Sequence, residues 1–320
     1  MEHRVVVSDT KATADAITAE LDRVDATVET VTARTPEELV SAAADATAVI
    51  VDESTPVSRE VFAALDTLRV VGRAGIGLDN VDLRAAAEAG VTVVNVPDYC
   101  VGEVSTHALA LLLAVARSLP AYDAATAAGD WAWSDGAPVH RFRGRTLGLA
   151  GFGDINRRLA RKVDGFGMDV LAYDPHVPAR EMAHLDAEKA GFEELLAVAN
   201  AVVVNLPLVE ETRELFDAAA FETMPEGALF VNTARGGVVD ETALIDALRE
   251  GDLAGAGLDV LATEPPDGSP LLEMENVVVT PHAGWYSEES REQLGRSVAA
   301  DVARVLAGER PQNPATPGDV

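Results

Sequence analysis

"LAGFGDINRRLA", residues 149–160, is the stretch on which the fold turns. It starts as a Gly-x-Gly-x-x-Gly turn, with Gly151 and Gly153 in the first two glycine positions, and then departs from the pattern at Asn156. The flanks supply the context that a lone Gly-x-Gly lacks. "TLGLA" reads as a strand ending at Gly151, and "DINRRLARKVDGF" as a helix beginning near Asp154. The backbone of Gly151, Phe152, Gly153, Asp154 and Ile155 can then face a pyrophosphate at a helix start. The first glycine makes the turn, the second lets a phosphate approach, and the third only tightens helix–strand packing. Asn156 is therefore expected to push the helix slightly outward without closing the site. About 20 residues further on, where an acid should take the ribose hydroxyls, "VLAYDP" supplies Asp174. A carboxylate there accepts from a 2'-hydroxyl and repels a 2'-phosphate, which predicts NAD over NADP.

On either side of this turn, short Val- and Ile-rich runs alternate with Ala-rich helical stretches. "RVVV", 11–22, "ATVETV", 36–44, "AVIV", "LRVVGRAG", a helix near 82–89 and "VTVVNVP" form one series. A long apolar helix over 102–118 leads into an aromatic loop containing "GDWAWSDG". Six further strands follow in "RTLGLAGFG", "MDVLAYDP", "NAVVVNLP", "GALFVNTARGG", "LAGAGLDV" and "NVVVTPH". This βαβ order predicts α/β architecture, with parallel sheets covered by helices on both faces. The segment 287–307 reads as one long helix that comes too late for the second sheet and is expected to return to the first domain.

At 320 residues the chain has material for two cores, and its 48% hydrophobic content predicts a folded protein with disorder confined to the ends, above all the tail "QNPATPGDV". The 53 acidic against 25 basic residues give a net charge of −28, and Lys11, Lys162 and Lys189 are the only lysines. Such a charge repels nucleic acid and anionic membranes and reads as a halophilic adaptation. The single Cys100 rules out an internal disulfide and a cysteine-based metal site, and no metal is expected. "MEHRVVVSDT" runs straight into a strand with no signal sequence, and "ALALLLAVA" at 108–116 is too short to span a bilayer, so a cytoplasmic protein is expected.

Three later segments place a charged residue just past a strand end, where open α/β sheets bind ligands. They are "FVNTARGG" with Arg235, "GLDVLATEPP" with Glu264 and "VVVTPHAGWYS" with His282. An arginine fork grips a carboxylate at two points, and a histidine can give a proton to a carbonyl oxygen as hydride arrives at the carbon. A carboxylate beside that histidine orients it and favours an imidazolium. Gly236–Gly237 suggest a close backbone approach next to Arg235. Of the other histidines, His107 reads as packing or satisfied locally, and His3, His140, His176 and His184 as surface residues.

"GRAGIGLDNVD", "GFGDIN", "YDP", "NTARGGVVDETAL", "GLDVLATEP" and "TPHAGWYSEES", in that order over nearly the whole chain, resemble the NAD-dependent D-2-hydroxyacid dehydrogenases. "TPHAGWYSE" and "GRAGIGLDN" look most like the branch of C-terminal-binding proteins and phosphoglycerate dehydrogenase-like proteins. The resemblance implies two doubly wound parallel-sheet domains with a cleft between them: a flavodoxin-like substrate domain, 1–101 plus 288–320, and a Rossmann coenzyme domain, 102–287. It implies that Arg235, Glu264 and His282 are the catalytic set, and that the backbone of Ala74, Gly75, Ile76 and Gly77 holds substrate, with Arg73 nearby. It further implies nicotinamide or ribose contacts from Thr233, Ala234, Asp259 and Gly284, and contacts from Leu206, Pro207 and Thr212 around the adenosine half. A homodimer through the coenzyme domain is implied as well. At this length, the regulatory domain that some phosphoglycerate dehydrogenases carry is not expected.

Trp285, if the branch resemblance holds, puts an aromatic wall beside the substrate, which favours an uncharged, thioether or aromatic 2-oxo acid over phosphohydroxypyruvate. Formate dehydrogenase is disfavoured, because those relatives carry glutamine where this chain has Glu264. The reading is an oxidoreductase acting on a small 2-oxo or D-2-hydroxy acid with NAD(H). The alternative is an NAD(H)-sensing binding protein with little or no turnover.

Overall fold

Val-rich runs form strands because β-branched side chains pack well on a sheet that is buried on both faces. The computed structural model describes residues 3–8, 10–135 and 138–318. It divides into two units, Met1–Cys100 with Tyr286–Val320, and Val101–Trp285. The first unit opens with β1 (His3–Ser8), α1 (Ala14–Leu21), β2 (Ala26–Val31), α2 (Pro36–Ala42), β3 (Ala48–Val51), α3 (Arg59–Ala64), β4 (Val70–Arg73), α4 (Leu83–Ala89) and β5 (Thr92–Val94). Every residue of β3 and β4 is buried. At the start of α2, Thr35 accepts from Glu38 N while the Glu38 carboxylate takes Thr35 N, a capping box that satisfies donors at both positions.

The second unit runs α5 (Val101–Ala116), α6 (Leu119–Ala128), β6 (Thr146–Ala150), α7 (Asp154–Val163), β7 (Asp169–Tyr173), α8 (Ala179–Ala183), β8 (Ala187–Lys189), α9 (Phe192–Val198), β9 (Ala201–Val204), α10 (Ala218–Thr223), β10 (Ala228–Asn232), α11 (Glu241–Glu250), β11 (Leu253–Leu258) and β12 (Val277–Val279). Its sheet has seven strands in the order β12-β11-β10-β9-β6-β7-β8, all parallel. The order reverses beside β6, whose carboxyl end carries Gly151 next to β9. The sequence predicts six strands here; the seventh, β8, has the sequence AEK with a single buried residue and so shows no apolar run. The aromatic loop after α5 also contains a helix, α6, which follows the turn at Ser118 (φ 49°). Gly136 and Ala137 of that loop lie outside the described residues.

The chain then returns to the first unit with α12 (Glu288–Leu306) and β13 (Pro314–Ala315). The first sheet has the order β13-β5-β4-β3-β1-β2; its pairs are parallel except that of β13 with β5. α12 packs on α1 and β4. Gly72 makes room for it, since a Cβ there would lie 2.8 Å from Val298 and 2.9 Å from Val302. The tail expected to be disordered is held instead. The buried Asp301 accepts from Gln312 N, Asn313 N and Asn313 Nδ2, and that anchor places β13 on the sheet edge. Asp319 and Val320, the last two residues of that tail, lie outside the described residues.

Candidate active site

The nucleotide turn is built from the end of β6. Gly151 has φ 85°, and a Cβ there would lie 2.4 Å from the carbonyl oxygen of Asn205, so only glycine fits. Gly153 precedes α7 with no side-chain cap and open space where a Cβ would point, which leaves the helix start accessible to an anion. Phe152 is buried, Asp154 is exposed and Ile155 is half-buried. Asp174, just past β7, accepts from Phe152 N at 2.9 Å and from His176 N at 2.9 Å. A carboxylate has about four lone-pair sites, so capacity for ribose hydroxyls remains.

Asn156, expected to wedge the helix outward, is completely buried. Its amide donates to Gly151 O at 2.7 Å and Ala150 O at 3.2 Å, and its Oδ1 accepts from Asn205 Nδ2 at 2.8 Å. The carboxamide thus ties the helix to the turn. Asn205 in turn accepts from Thr233 Oγ1 at 3.0 Å, which links the turn to the loop after β10.

Asn232 shapes that loop. Its Oδ1 accepts from Ala234 N and its Nδ2 donates to Arg235 O, both at 3.0 Å. Thr233 and Ala234 are buried and Arg235 is half-buried, with Nη1 donating to Ala234 O at 2.8 Å. Gly236 follows because a Cβ there would lie 2.0 Å from the Leu261 backbone. In the neighbouring loop, Leu206 is buried, and Thr212 Oγ1 donates to Pro207 O while accepting from Val209 N.

His282 stands past β12 in the left-handed region, φ 51°, a conformation that costs a non-glycine residue about 1–3 kcal/mol and persists where its surroundings enforce it. The enforcing group is Asp259. Its carbonyl accepts from His282 N at 2.8 Å, and its carboxylate accepts from Thr280 Oγ1 at 2.6 Å, Ala283 N at 2.8 Å and Gly284 N at 2.8 Å. Burial opposes ionisation of Asp259, but the hydrogen bonds from His107, Thr280, Ala283 and Gly284 outweigh it and hold the carboxyl below its usual range. His107, read from sequence as packing or satisfied locally, reaches from α5 to Thr280 Oγ1 at 2.8 Å and lies 3.3 Å from Asp259, partners far from it in sequence. His3, expected at the surface, is half-buried in β1.

So oriented, His282 Nδ1 lies 2.8 Å from Glu264 Oε2, and Glu264 Oε1 accepts from Leu261 N at 3.0 Å. Nε2 has no hydrogen-bond partner among the described residues. Trp285, three positions on, is half-buried.

In the first unit, Arg73 closes β4 and is buried beneath its own turn. Nη1 donates to Ala74 O at 3.0 Å, and a Cβ on Gly75 would lie 1.5 Å from that nitrogen. Glu53 lies 4.0 Å from Nη2 and is also paired with Lys11. Arg73 therefore supports the turn of Ala74 and Gly75, while Ile76 and Gly77 are half-buried.

Residues 109–284 match the family model described as "D-isomer specific 2-hydroxyacid dehydrogenase, NAD binding domain". The chain belongs to this family. It is 45% identical over 271 residues to the D-3-phosphoglycerate dehydrogenase of Mycobacterium leprae, covering 85% of this chain and 51% of that protein. It thus spans about half the length of the curated relatives it matches. Among solved structures it is similar to D-mandelate dehydrogenase of Rhodotorula graminis, with 32% identity, TM-score 0.87 and 98% of each chain covered. It is also similar to a glyoxylate reductase from Paecilomyes thermophila, with 26% identity and TM-score 0.90 over 100% of this chain and 99% of that one.

The second unit carries the NAD-binding domain of the 2-hydroxyacid dehydrogenases, and the open helix start, the space at Gly153 and the carboxylate of Asp174 fit that cofactor. Sequence reasoning overlooked Asn205, Asn232 and Thr280 and undervalued His107. The first three share a legible signal, a polar residue at or just past the carboxyl end of an apolar strand, in "VVVNLP", "LFVNTARG" and "VVVTPH".

Proposed function

We propose that the protein is an NAD-dependent oxidoreductase interconverting a 2-oxo acid and a D-2-hydroxy acid. The observation that carries this reading is the 2.8 Å pairing of His282 Nδ1 with Glu264, which leaves Nε2 for a substrate oxygen. Bound NADH supplies the hydride to the carbonyl carbon. His282 as imidazolium donates its Nε2 proton to the carbonyl oxygen and recovers it in the reverse direction. Glu264, fixed by Leu261 N, holds the ring's orientation and balances its charge. Arg235 holds the substrate carboxylate with its planar fork, and the backbone of Ala74 to Gly77 is assigned a supporting substrate contact. Gly151 to Ile155 bind the pyrophosphate through backbone; Asp154 contributes its N–H, since its carboxylate has the sign of a phosphate. Leu206, Pro207 and Thr212 flank the adenosine, and Thr233, Ala234, Asp259 and Gly284 the nicotinamide side.

Trp285 favours an uncharged apolar 2-oxo acid over a phosphorylated one, and Asp174 favours NADH over NADPH. Initial rates over a panel of 2-oxo acids with each cofactor test both assignments. The expected result is a kcat/KM at least about tenfold higher with NADH, and a ranking led by aromatic or thioether acids that Trp285→Ala alters. Equal use of both cofactors, or a ranking untouched by Trp285→Ala, overturns the respective assignment.

We further propose a cytoplasmic homodimer, formed through the coenzyme unit, and adaptation of its acidic surface to high salt.

A further inference from the structure

α5 carries a histidine, His107, that the proposed proton transfer does not use. Gly257 in β11 lets this helix down onto the sheet, since a Cβ there would lie 2.8 Å from Leu111 Cβ. His107 stands one turn before Leu111 and on the same helix face, so it reaches the carboxyl ends of β11 and β12. Its Nε2 lies 2.8 Å from Thr280 Oγ1 and 3.3 Å from Asp259 Oδ1. The ring also closes on the turn beyond them, where a Cβ on Gly284 would lie 3.4 Å from His107 Cδ2.

Elimination fixes the direction of these hydrogen bonds. The Asp259 carboxylate accepts from Thr280 Oγ1, Ala283 N and Gly284 N, which commits the single hydroxyl proton of Thr280 to Asp259. Thr280 can then only accept from His107, so Nε2 is the nitrogen that carries a proton. The same N–H leans toward Asp259: burial opposes ionisation of that carboxyl, and the hydrogen bond from His107 is the first of those that outweigh it. The backbone carbonyls of Asp259 and Thr280 are in turn the acceptors of His282 N, at 2.8 and 2.9 Å. One histidine thus secures both residues that hold the left-handed backbone of the other.

We infer that His107 is a positioning residue for the proposed reaction: its Nε2–H, held against Thr280 and Asp259, sets the 280–284 turn from which His282 meets the substrate oxygen. This rests on the assignment of His282 as the proton donor. The test follows NADH oxidation with a panel of 2-oxo acids in the wild type, His107→Leu, His107→Asn, His107→Gln and His282→Asn, with thermal unfolding of each. Glutamine extends an amide N–H to the reach of Nε2, whereas asparagine stops at the reach of Nδ1. The expected result is a kcat lower by about tenfold or more in His107→Leu and His107→Asn, a KM for the acid within about twofold of the wild type, and recovery of most of the lost kcat in His107→Gln. The contrast of asparagine with glutamine carries the test should the leucine variant fail to fold. A kcat untouched by His107→Leu and His107→Asn but lost in His282→Asn overturns the positioning role alone. An equal loss in all three His107 variants, in step with their unfolding midpoints, overturns it too, since the ring then only packs. A wild type that reduces none of the acids overturns the assignment of His282, and the role of His107 with it.

Discussion

Asn156 shows how one residue can replace the role of a motif glycine. A glycine at this position would let helix and strand approach, whereas the asparagine fills the space and binds Ala150, Gly151 and Asn205 through its carboxamide. Asn156→Gly, which restores the motif, is therefore expected to destabilise the protein by about 2–4 kcal/mol through lost hydrogen bonds and the helix penalty of glycine. Thermal unfolding checks this, with a midpoint about 5 °C lower or more; an unchanged midpoint contradicts the role assigned to the carboxamide. The presence of a polar residue at 156 was legible in the sequence, but its partners were not. Ala150 and Asn205 come together only when β6 and β9 pair as neighbours, and no local pattern encodes that adjacency. The same holds for Asp259, whose carboxylate builds the His282 turn from 21 to 25 positions away. By contrast, Arg235, Glu264 and His282 were visible because each follows an apolar strand.

Among the elements, the sequence is readable where burial is deep. β3, β4 and β9 are fully buried, and each was apparent within a short Val-rich run. β8 and β13 were not, because edge strands of three and two residues need only one side chain or a backbone anchor to hold them. α6 was hidden for the opposite reason. It is largely apolar in sequence yet has no buried residue in the isolated chain, so it carries no amphipathic stripe. Leu119 is 54% exposed, and Trp131 and Trp133 beyond the helix are 90% and 87% exposed; Tyr122 donates to Trp133 O at 2.7 Å and ties that loop to α6. Apolar groups exposed together on one stretch mark an association surface, which supports the proposed dimer. Sedimentation is expected to show twice the chain mass for the wild type and a shift toward monomer in the Trp131→Ser/Trp133→Ser variant. A monomeric wild type, or a dimer indifferent to both tryptophans, contradicts that assignment.

For the whole molecule, the proposed adaptation to salt rests on the charge of −28. Self-repulsion among surface acids weakens as the screening length falls from about 10 Å at 0.1 M salt to about 3 Å at 1 M. The melting temperature is therefore expected to rise over that interval, and a flat or falling response contradicts adaptation to salt. The proposed function rests on proton transfer by His282 in an NAD-dependent reduction. NADH oxidation with a 2-oxo acid at high salt probes that step, comparing the wild type with His282→Asn, a side chain that tolerates the left-handed backbone at 282. Turnover is expected in the wild type, with a fall in kcat of about 100-fold or more in the variant and NADH binding retained in both. Unchanged kcat in the variant, or a wild type that binds NADH and reduces none of the acids, would refute it.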